Sequence, residues 1–172
     1  MIAGNKNKFA IQIEIIDKAD DWIFGYFLFW IYGKAVGNPL DKSVDLKSCL
    51  NWLKQFVASS VNRFEPELFD MDKGKAYLHI CGSVVLQDQQ DAFFSEEKYD
   101  SAFERFHIAQ LGMSSFDDLN IMLIEHEDGR QRIIWQENGD PIEEAHFGAR
   151  EIHNTCKEVV KILEREIVSA DI

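Results

Sequence analysis

Histidine and cysteine, the side chains best suited to metal binding and nucleophilic chemistry, are few and scattered here. The five histidines are His79, His107, His126, His146 and His153, and no two have the HxxxH or HExxH spacing that sets two ligands on one helix face. His79 and Cys81 stand two apart and would share one face of a strand, but two ligands fall short of a zinc site. They read as a structural histidine and a buried thiol. A second grouping, His146 and His153 near Glu143 and Glu144, would need an unbroken helix across Gly148. The acid pairs Glu96-Glu97, Asp117-Asp118 and Glu143-Glu144 are adjacent in sequence. On a strand such neighbours point to opposite faces, and on a helix they lie about 100° apart, so their adjacency gives no evidence of a catalytic dyad. No GxSxG elbow, P-loop or strand-borne GxGxxG occurs, and Cys81-Gly82-Ser83 matches no nucleophile signature. The expectation is a protein with no catalytic residue, no metal and no cofactor.

The carboxylates offer a field instead. Fifteen of the thirty acidic residues lie between Gln87 and Ala145, against Lys98, Arg105, Arg130 and Arg132. That segment carries −11 of the chain's net −12. Charge concentrated in this way attracts cationic partners and repels nucleic acid and anionic membrane. No stripe of Lys and Arg is available to neutralise phosphates, and the aromatic run is not interleaved with cations, so nucleic-acid binding is disfavoured. The competing explanation is the ordinary solvated surface of an acidic protein.

The positioning elements follow from periodicity. Phe9, Ile11, Ile13 and Ile15 alternate as in a half-buried strand, and Asp17–Asp21 reads as a turn. The apolar run Trp22–Tyr32 is about half the ~20 residues of a membrane-spanning helix, and its aromatic and β-branched content favours a strand. Trp22, Phe24, Tyr26, Leu28 and Trp30 would fall on one face, with Ile23, Phe27, Phe29 and Ile31 on the other. Both faces call for cover: one by helices, the other by a second layer or another subunit. Ala35-Val36 fits a short return strand after Gly33. Leu46, Cys49, Leu50, Leu53, Phe56, Val57 and Val61 trace an amphipathic helix, capped by Ser43 or Asp45 and finished by about Phe64, before Pro66.

Beyond it, Asp72-Lys73-Gly74 reads as a turn leading into an extended Lys75–Cys81, residues 87–98 as an exposed acidic excursion, and Tyr99–Leu111 as a short helix passing into a strand. Leu119–Glu125 and Arg130–Trp135 flank an Asp128-Gly129 turn, a strong hairpin signal. Asn138–Pro141 is a further turn, and a helix from about Ala149 to Val168 presents Ile152, Cys156, Val159, Leu163 and Ile167. The expected fold is α+β: a single domain over residues 1–172, with a mainly antiparallel sheet of about five to seven strands packed by two long amphipathic helices. Three well-separated cysteines without a CxxC pair read as buried thiols in a reducing compartment, and the N-terminus lacks a secretory signal's apolar core. Both observations imply the cytoplasm.

The succession Phe9-Ala10-Ile11-Gln12-Ile13-Glu14-Ile15, then Trp22–Gly37 with its aromatic strand and Val36-Gly37 return, then Asp45 leading a helix, resembles bacterial polymorphic-toxin immunity proteins, specifically the immunity protein 42 family. The match covers about residues 8–57, and Phe116–Trp135 is compatible with it. The resemblance implies a small cytoplasmic α+β protein of bacterial competition and contact-dependent inhibition. Such a protein binds the cationic C-terminal domain of one cognate toxin and blocks it without catalysis. It transfers no functional residues. Charge distribution supplies candidates: Asp88, Asp91, Glu96, Glu97 and Asp100 in the excursion, with Phe93 and Phe94 as anchors, and Glu125, Glu127 and Asp128 at the hairpin end. A nuclease-type toxin with a cationic groove fits that field. Two other readings stay open. One is a small-ligand-binding or enzymatic domain with a pocket near Tyr26, Trp30 and Trp135, and the other is a homodimer formed through the surplus aromatic face.

Overall fold

A computed structural model describes residues 1–19, 22–59, 62–85, 103–108, 114–137 and 139–168. The chain divides into two compact units. The first comprises Met1–Ser60, Gln110–Asp118 and Arg150–Ile172, and the second Val61–Ala109 and Leu119–Ala149. The fold is α+β and its sheets are antiparallel, as the periodicity implies, but the strands are shared between a five-stranded and a three-stranded sheet.

In the first unit, β1 (Ile2–Gly4), β2 (Phe9–Ala19), β3 (Trp22–Ile31) and β4 (Lys34–Val36) pair in that order, and β5 (Val44–Asp45) also pairs with β3. Alternation along β2 and β3 sets Phe9 opposite Ile31, Ile11 opposite Phe29 and Ile13 opposite Phe27, all buried. Two helices cover this face, α1 (Leu46–Ala58) and α4 (Glu151–Val168), packed against each other and against β3 and β2 respectively. Each buries most of the stripe read from sequence: Leu46, Cys49, Leu50, Leu53 and Phe56 on α1, and Ile152, Cys156, Val159 and Leu163 on α4. Val57 and Ile167 are half-buried, Val61 lies outside the described residues, and α1 ends at Ala58, short of the expected end near Phe64. Asp45 is the N-cap of α1, its carboxylate accepting from the backbone N–H groups of Lys47 (3.0 Å) and Ser48 (3.2 Å). Tyr32 (φ 47°) and Gly33 (φ 81°) turn β3 into β4, two consecutive left-handed residues suited to a two-residue hairpin loop.

Of the turn expected over Asp17–Asp21, the first three residues are strand instead, because β2 runs on to Ala19, opposite Trp22, and the last two lie outside the described residues. Partners along the long aromatic strand outweigh the local turn preference of Asp17, and a bulge between Ile15 and Asp17 absorbs the mismatch. At Gly25 the strands approach so closely that any Cβ would collide with the Glu14 carbonyl, and only glycine fits.

In the second unit, β6 (Leu119–Glu125), β7 (Gln131–Glu137) and β8 (Glu143–Phe147) form a meander. The β6–β7 hairpin forms as expected, but with Glu125 opposite Gln131 its loop spans residues 126–130 rather than Asp128-Gly129 alone. Ile121, Met122, Leu123, Ile124, Ile133 and Ile134 are all fully buried, so both faces of these strands are covered. One face packs with α2 (Pro66–Asp70) and α3 (Lys73–Val85) in a cluster that includes Phe69, Tyr77, Ile80, Phe106, Met122 and Ile134.

Helix α3 corrects the extended reading of Lys75–Cys81. Asp72 is a cap rather than part of a turn: its Oδ1 accepts from the N–H groups of Gly74 (3.0 Å) and Lys75 (3.2 Å). Ala76, Tyr77, Ile80 and Cys81 then form one buried helical stripe. Strand β8 was not visible in the sequence, because Glu143-Glu144-Ala145-His146-Phe147 offers only Ala145 and Phe147 to the interior. Residues 103–106 form a helical turn and His107 makes an isolated bridge to Met122; residues 99–102 and 109–111 of the expected helix and strand lie outside the described residues. Among the described residues, no helix is long and apolar enough to cross a membrane.

Candidate functional site

Asp88, Asp91, Phe93, Phe94, Glu96, Glu97 and Asp100, together with the expected excursion at 87–98, lie outside the described residues. The hairpin end is described. Gly129 (φ 84°) closes the loop, its N–H donating to the His126 carbonyl at 2.9 Å. Asp128 is engaged within the loop itself. It accepts from the Arg130 backbone N–H at 3.0 Å and from Arg130 Nε at 2.7 Å. The backbone bond first, with help from the Arg130 and His126 side chains, holds its carboxyl down to about 2. Glu125 accepts from Gln131 Nε2 at 2.8 Å, whereas Glu127 points to solvent. Of the three hairpin candidates, two serve the turn as well as the surface.

Arg132, buried, and Arg105, half-buried, bind backbone carbonyls elsewhere in this unit. The Arg132 guanidinium, 2% exposed, donates through Nη1 to the carbonyls of Leu68 (2.8 Å), Phe69 (2.9 Å) and Met71 (2.8 Å), the C-terminal end of α2. Its Nε and Nη2 meet Glu144 Oε2 at 3.0 and 2.6 Å. Arg105 similarly holds the carbonyls of Asn62 and Phe64 (the latter at 2.8 Å) and reaches Glu65 at 3.3 Å. The sequence carries a trace of this: alternation in Arg132-Ile133-Ile134 puts Arg132 on the same face as buried Ile134, so a charge had to enter the core.

Among the described residues, those weighed for chemistry do not assemble. On helix α3, His79 is exposed and Cys81 buried, because two positions make about 200° rather than the full turn of a strand's period. His146 lies on β8 beside Glu144 (3.5 Å), while His153 is buried on α4, stacked on Phe56 at 4.8 Å between centroids. The helix these two would require is broken between Phe147 and Glu151, where Arg150 takes φ 56°. Glu143 and Glu144 sit consecutively on β8 and so face opposite sides. Cys49, Cys81 and Cys156 are free and buried, and burial pushes the thiols of Cys81 and Cys156 up to about 12. Among the described residues no three His, Cys, Asp or Glu side chains are grouped to hold a metal ion.

The aromatic residues make a surface. On the outer face of the first unit's sheet, Trp22 is 54% exposed and stacks on Phe24, rings nearly parallel (4°) with centroids 6.0 Å apart. Tyr26 and Trp30 continue the row half-buried, with Lys6 Nζ 3.7 Å from the Trp30 ring and Trp30 Nε1 donating to Gln12 at 2.9 Å. A groove lined by Asp17, Phe24, Leu40, Asp41, Lys42 and Ser43 adjoins Phe24. Neither Tyr26 nor Trp30 lines it, and Trp135 is buried in β7 of the second unit.

The described part of the second unit thus offers exposed carboxylates at its hairpin end, and the first unit an exposed aromatic row on its sheet. The family model for immunity protein 42 matches residues 1–162. The chain belongs to the immunity protein 42 family. The likeness read from residues 8–57 therefore extends over almost the whole immunity protein. No curated protein matches it. Among solved structures, CdiI from Burkholderia dolosa AUO158 superposes with a TM-score of 0.69 at 16% identity, over 94% of this chain and 99% of that one. At that identity the likeness shows a common fold.

Proposed function

We propose that this immunity protein binds the C-terminal domain of one cognate bacterial toxin, a nuclease-type domain with a cationic surface, and neutralises it stoichiometrically in the cytoplasm without catalysis. The family match over residues 1–162 carries the reading. The charge distribution supports a cationic partner: the segment from Gln87 to Ala145 holds −11, and Arg105, Arg130 and Arg132, three of its four cations, are bound to the chain's own carbonyls and carboxylates. The acids that remain at the surface, Glu127 among them, are left without those counter-charges. A field of this kind raises association rate and specificity more than it raises affinity.

The test begins with the reading frame immediately upstream of this chain's gene, where a large secreted protein with a variable C-terminal toxin domain is expected, and continues with co-expression of that domain and this chain. Protection of growth, a one-to-one complex, and loss of the toxin's nuclease activity on titration are the expected results. Absence of protection together with absence of a complex refutes the reading. Association should slow markedly as salt rises from ~10 to ~300 mM, and an unchanged rate would remove the electrostatic part alone.

A further inference from the structure

The outer face of the five-stranded sheet contains more apolar surface than the fold uses. Trp22 is 54% exposed, Ile2 48% and Leu40 83%, on a face whose opposite side is closed by α1 and α4. The residues are not scattered. Trp22 and Phe24 are neighbours on one face of β3, stacked in parallel, and Phe24 forms the wall of the groove that Leu40 and Asp41 complete. Carboxylates edge the rings. Asp17 stands opposite Phe24 and lines the same groove, and Glu14, exposed, stands opposite Tyr26. Lys42 lies at the groove and Lys6 over Trp30, farther along the row.

Two occupants suit an apolar face, a second copy of this chain or a different protein, and charge separates them. A symmetric dimer through this face would bring two copies of Asp17, Asp41 and Glu14 together at an interface of low dielectric. A partner presenting arginine gains twice. Its guanidinium can lie flat on the exposed Trp22–Phe24 stack while its N–H fork meets Asp17. The row already accepts a cation in this way, where the Lys6 ammonium sits 3.7 Å from the centre of the Trp30 ring. A large, rigid, half-exposed tryptophan beside a groove is also the residue type that most often anchors a protein interface.

We infer that the Trp22–Phe24 stack and the adjoining Asp17–Leu40 groove receive an arginine-bearing segment of the toxin domain. This rests on the immunity reading and supplies its apolar anchor. The test uses the full chain and the toxin domain identified by that co-expression, with binding measured by calorimetry for wild type, Trp22→Ser and Asp17→Lys. Both side chains are at the surface, so far-ultraviolet circular dichroism and melting should match wild type. Trp22→Ser should weaken binding about 30-fold or more, and Asp17→Lys at least about tenfold. Should wild type bind and both variants bind within twofold of it, the anchor lies elsewhere and this inference falls while the immunity reading stands. Should wild type neither bind nor protect, the immunity reading itself fails. A wild-type dimer in light scattering that Trp22→Ser converts to monomer would assign the face to a second copy and overturn the inference.

Discussion

Replacing Arg132 by methionine tests whether a buried cation holds the second unit together by capping carbonyls or by pairing with a carboxylate. Methionine keeps much of the aliphatic stem and removes the five hydrogen bonds the guanidinium makes. The carbonyls of Leu68, Phe69 and Met71 then lose a donor in a place where Arg132 itself is only 2% exposed. At about 1 kcal/mol or more for each unsatisfied acceptor, the loss is about 3–5 kcal/mol, the range expected when one partner of a buried charge network is removed. For a chain of this length, that lowers the melting temperature by roughly 10 °C. Glu144→Gln removes the same ion pair from the other side. Its side chain is 33% exposed and the amide oxygen still accepts, so the cost should be about 1 kcal/mol. Urea unfolding monitored by circular dichroism measures both. If Glu144→Gln costs as much as Arg132→Met, the ion pair dominates and the carbonyl-capping argument is wrong. If Arg132→Met costs under ~1 kcal/mol, the carbonyls find other donors and the argument fails altogether.

Two further perturbations probe the fold. Burial holds the His107 imidazole down at about 4, only partly offset by the Leu119 backbone, and neither ring nitrogen completes a hydrogen bond among the described residues. Because the unfolded chain takes up this proton near pH 6.5 and the folded chain only near 4, the stability contribution is whole above pH 6.5 and is lost progressively as pH falls to 4, by about 3 kcal/mol in total. Unfolding of wild type and His107→Phe, compared at pH 7.5 and 4.5, should show a smaller acid loss in the variant; parallel losses would show that His107 is not the titrating group. Asp45→Ala removes the cap of α1, including the 2.6 Å bond from Ser48 Oγ, and should cost about 1–2 kcal/mol in urea unfolding, recovered in Asp45→Asn. A cost within ~0.3 kcal/mol of zero would mean that water caps this helix equally well.

The parts of the fold that could be read beforehand are those in which one periodic signal decides. Alternation along Phe9–Ile15, the helical stripe from Leu46 to Phe56 and the Asp128-Gly129 turn each specify an element without reference to anything distant. The failures occur where two local signals compete, or where the deciding contact is remote. Asp72-Lys73-Gly74 is a turn by composition, and only the stripe through Ala76, Tyr77, Ile80 and Cys81 shows that Asp72 starts a helix. Asp17 has turn chemistry, yet Phe24 across the sheet keeps it in a strand. Strand β8 has almost no apolar pattern of its own and is fixed by pairing with β7 and by the Arg132–Glu144 contact. The division of strands between two sheets is likewise a matter of pairing partners, which no window of sequence contains.

The charge count has a different meaning once the partners of each cation are known. In the sequence, Arg105, Arg130 and Arg132 partly offset fifteen acids, as though they shared one surface with them. In the folded unit Arg132 is buried on the carbonyls of α2, Arg105 reaches the carbonyls of residues 62 and 64, and Arg130 is turned onto the Asp128 carboxylate of its own loop. A cation spent on a neutral carbonyl still contributes its charge at long range, but it is no longer positioned to pair with an acid at the surface. Among the predicted contacts, then, Asp128 has a partner already, and a toxin cation would have to displace Arg130 to use it. Glu127, exposed and adjacent, needs no such displacement. Charge reversal at Glu127 should therefore slow association with the toxin more than the same change at Asp128 slows it, once the latter's loop is shown to stay folded. Equal effects in stopped-flow association at low salt would mean that only the overall field matters, and that the pairing inside the hairpin loop has no bearing on recognition.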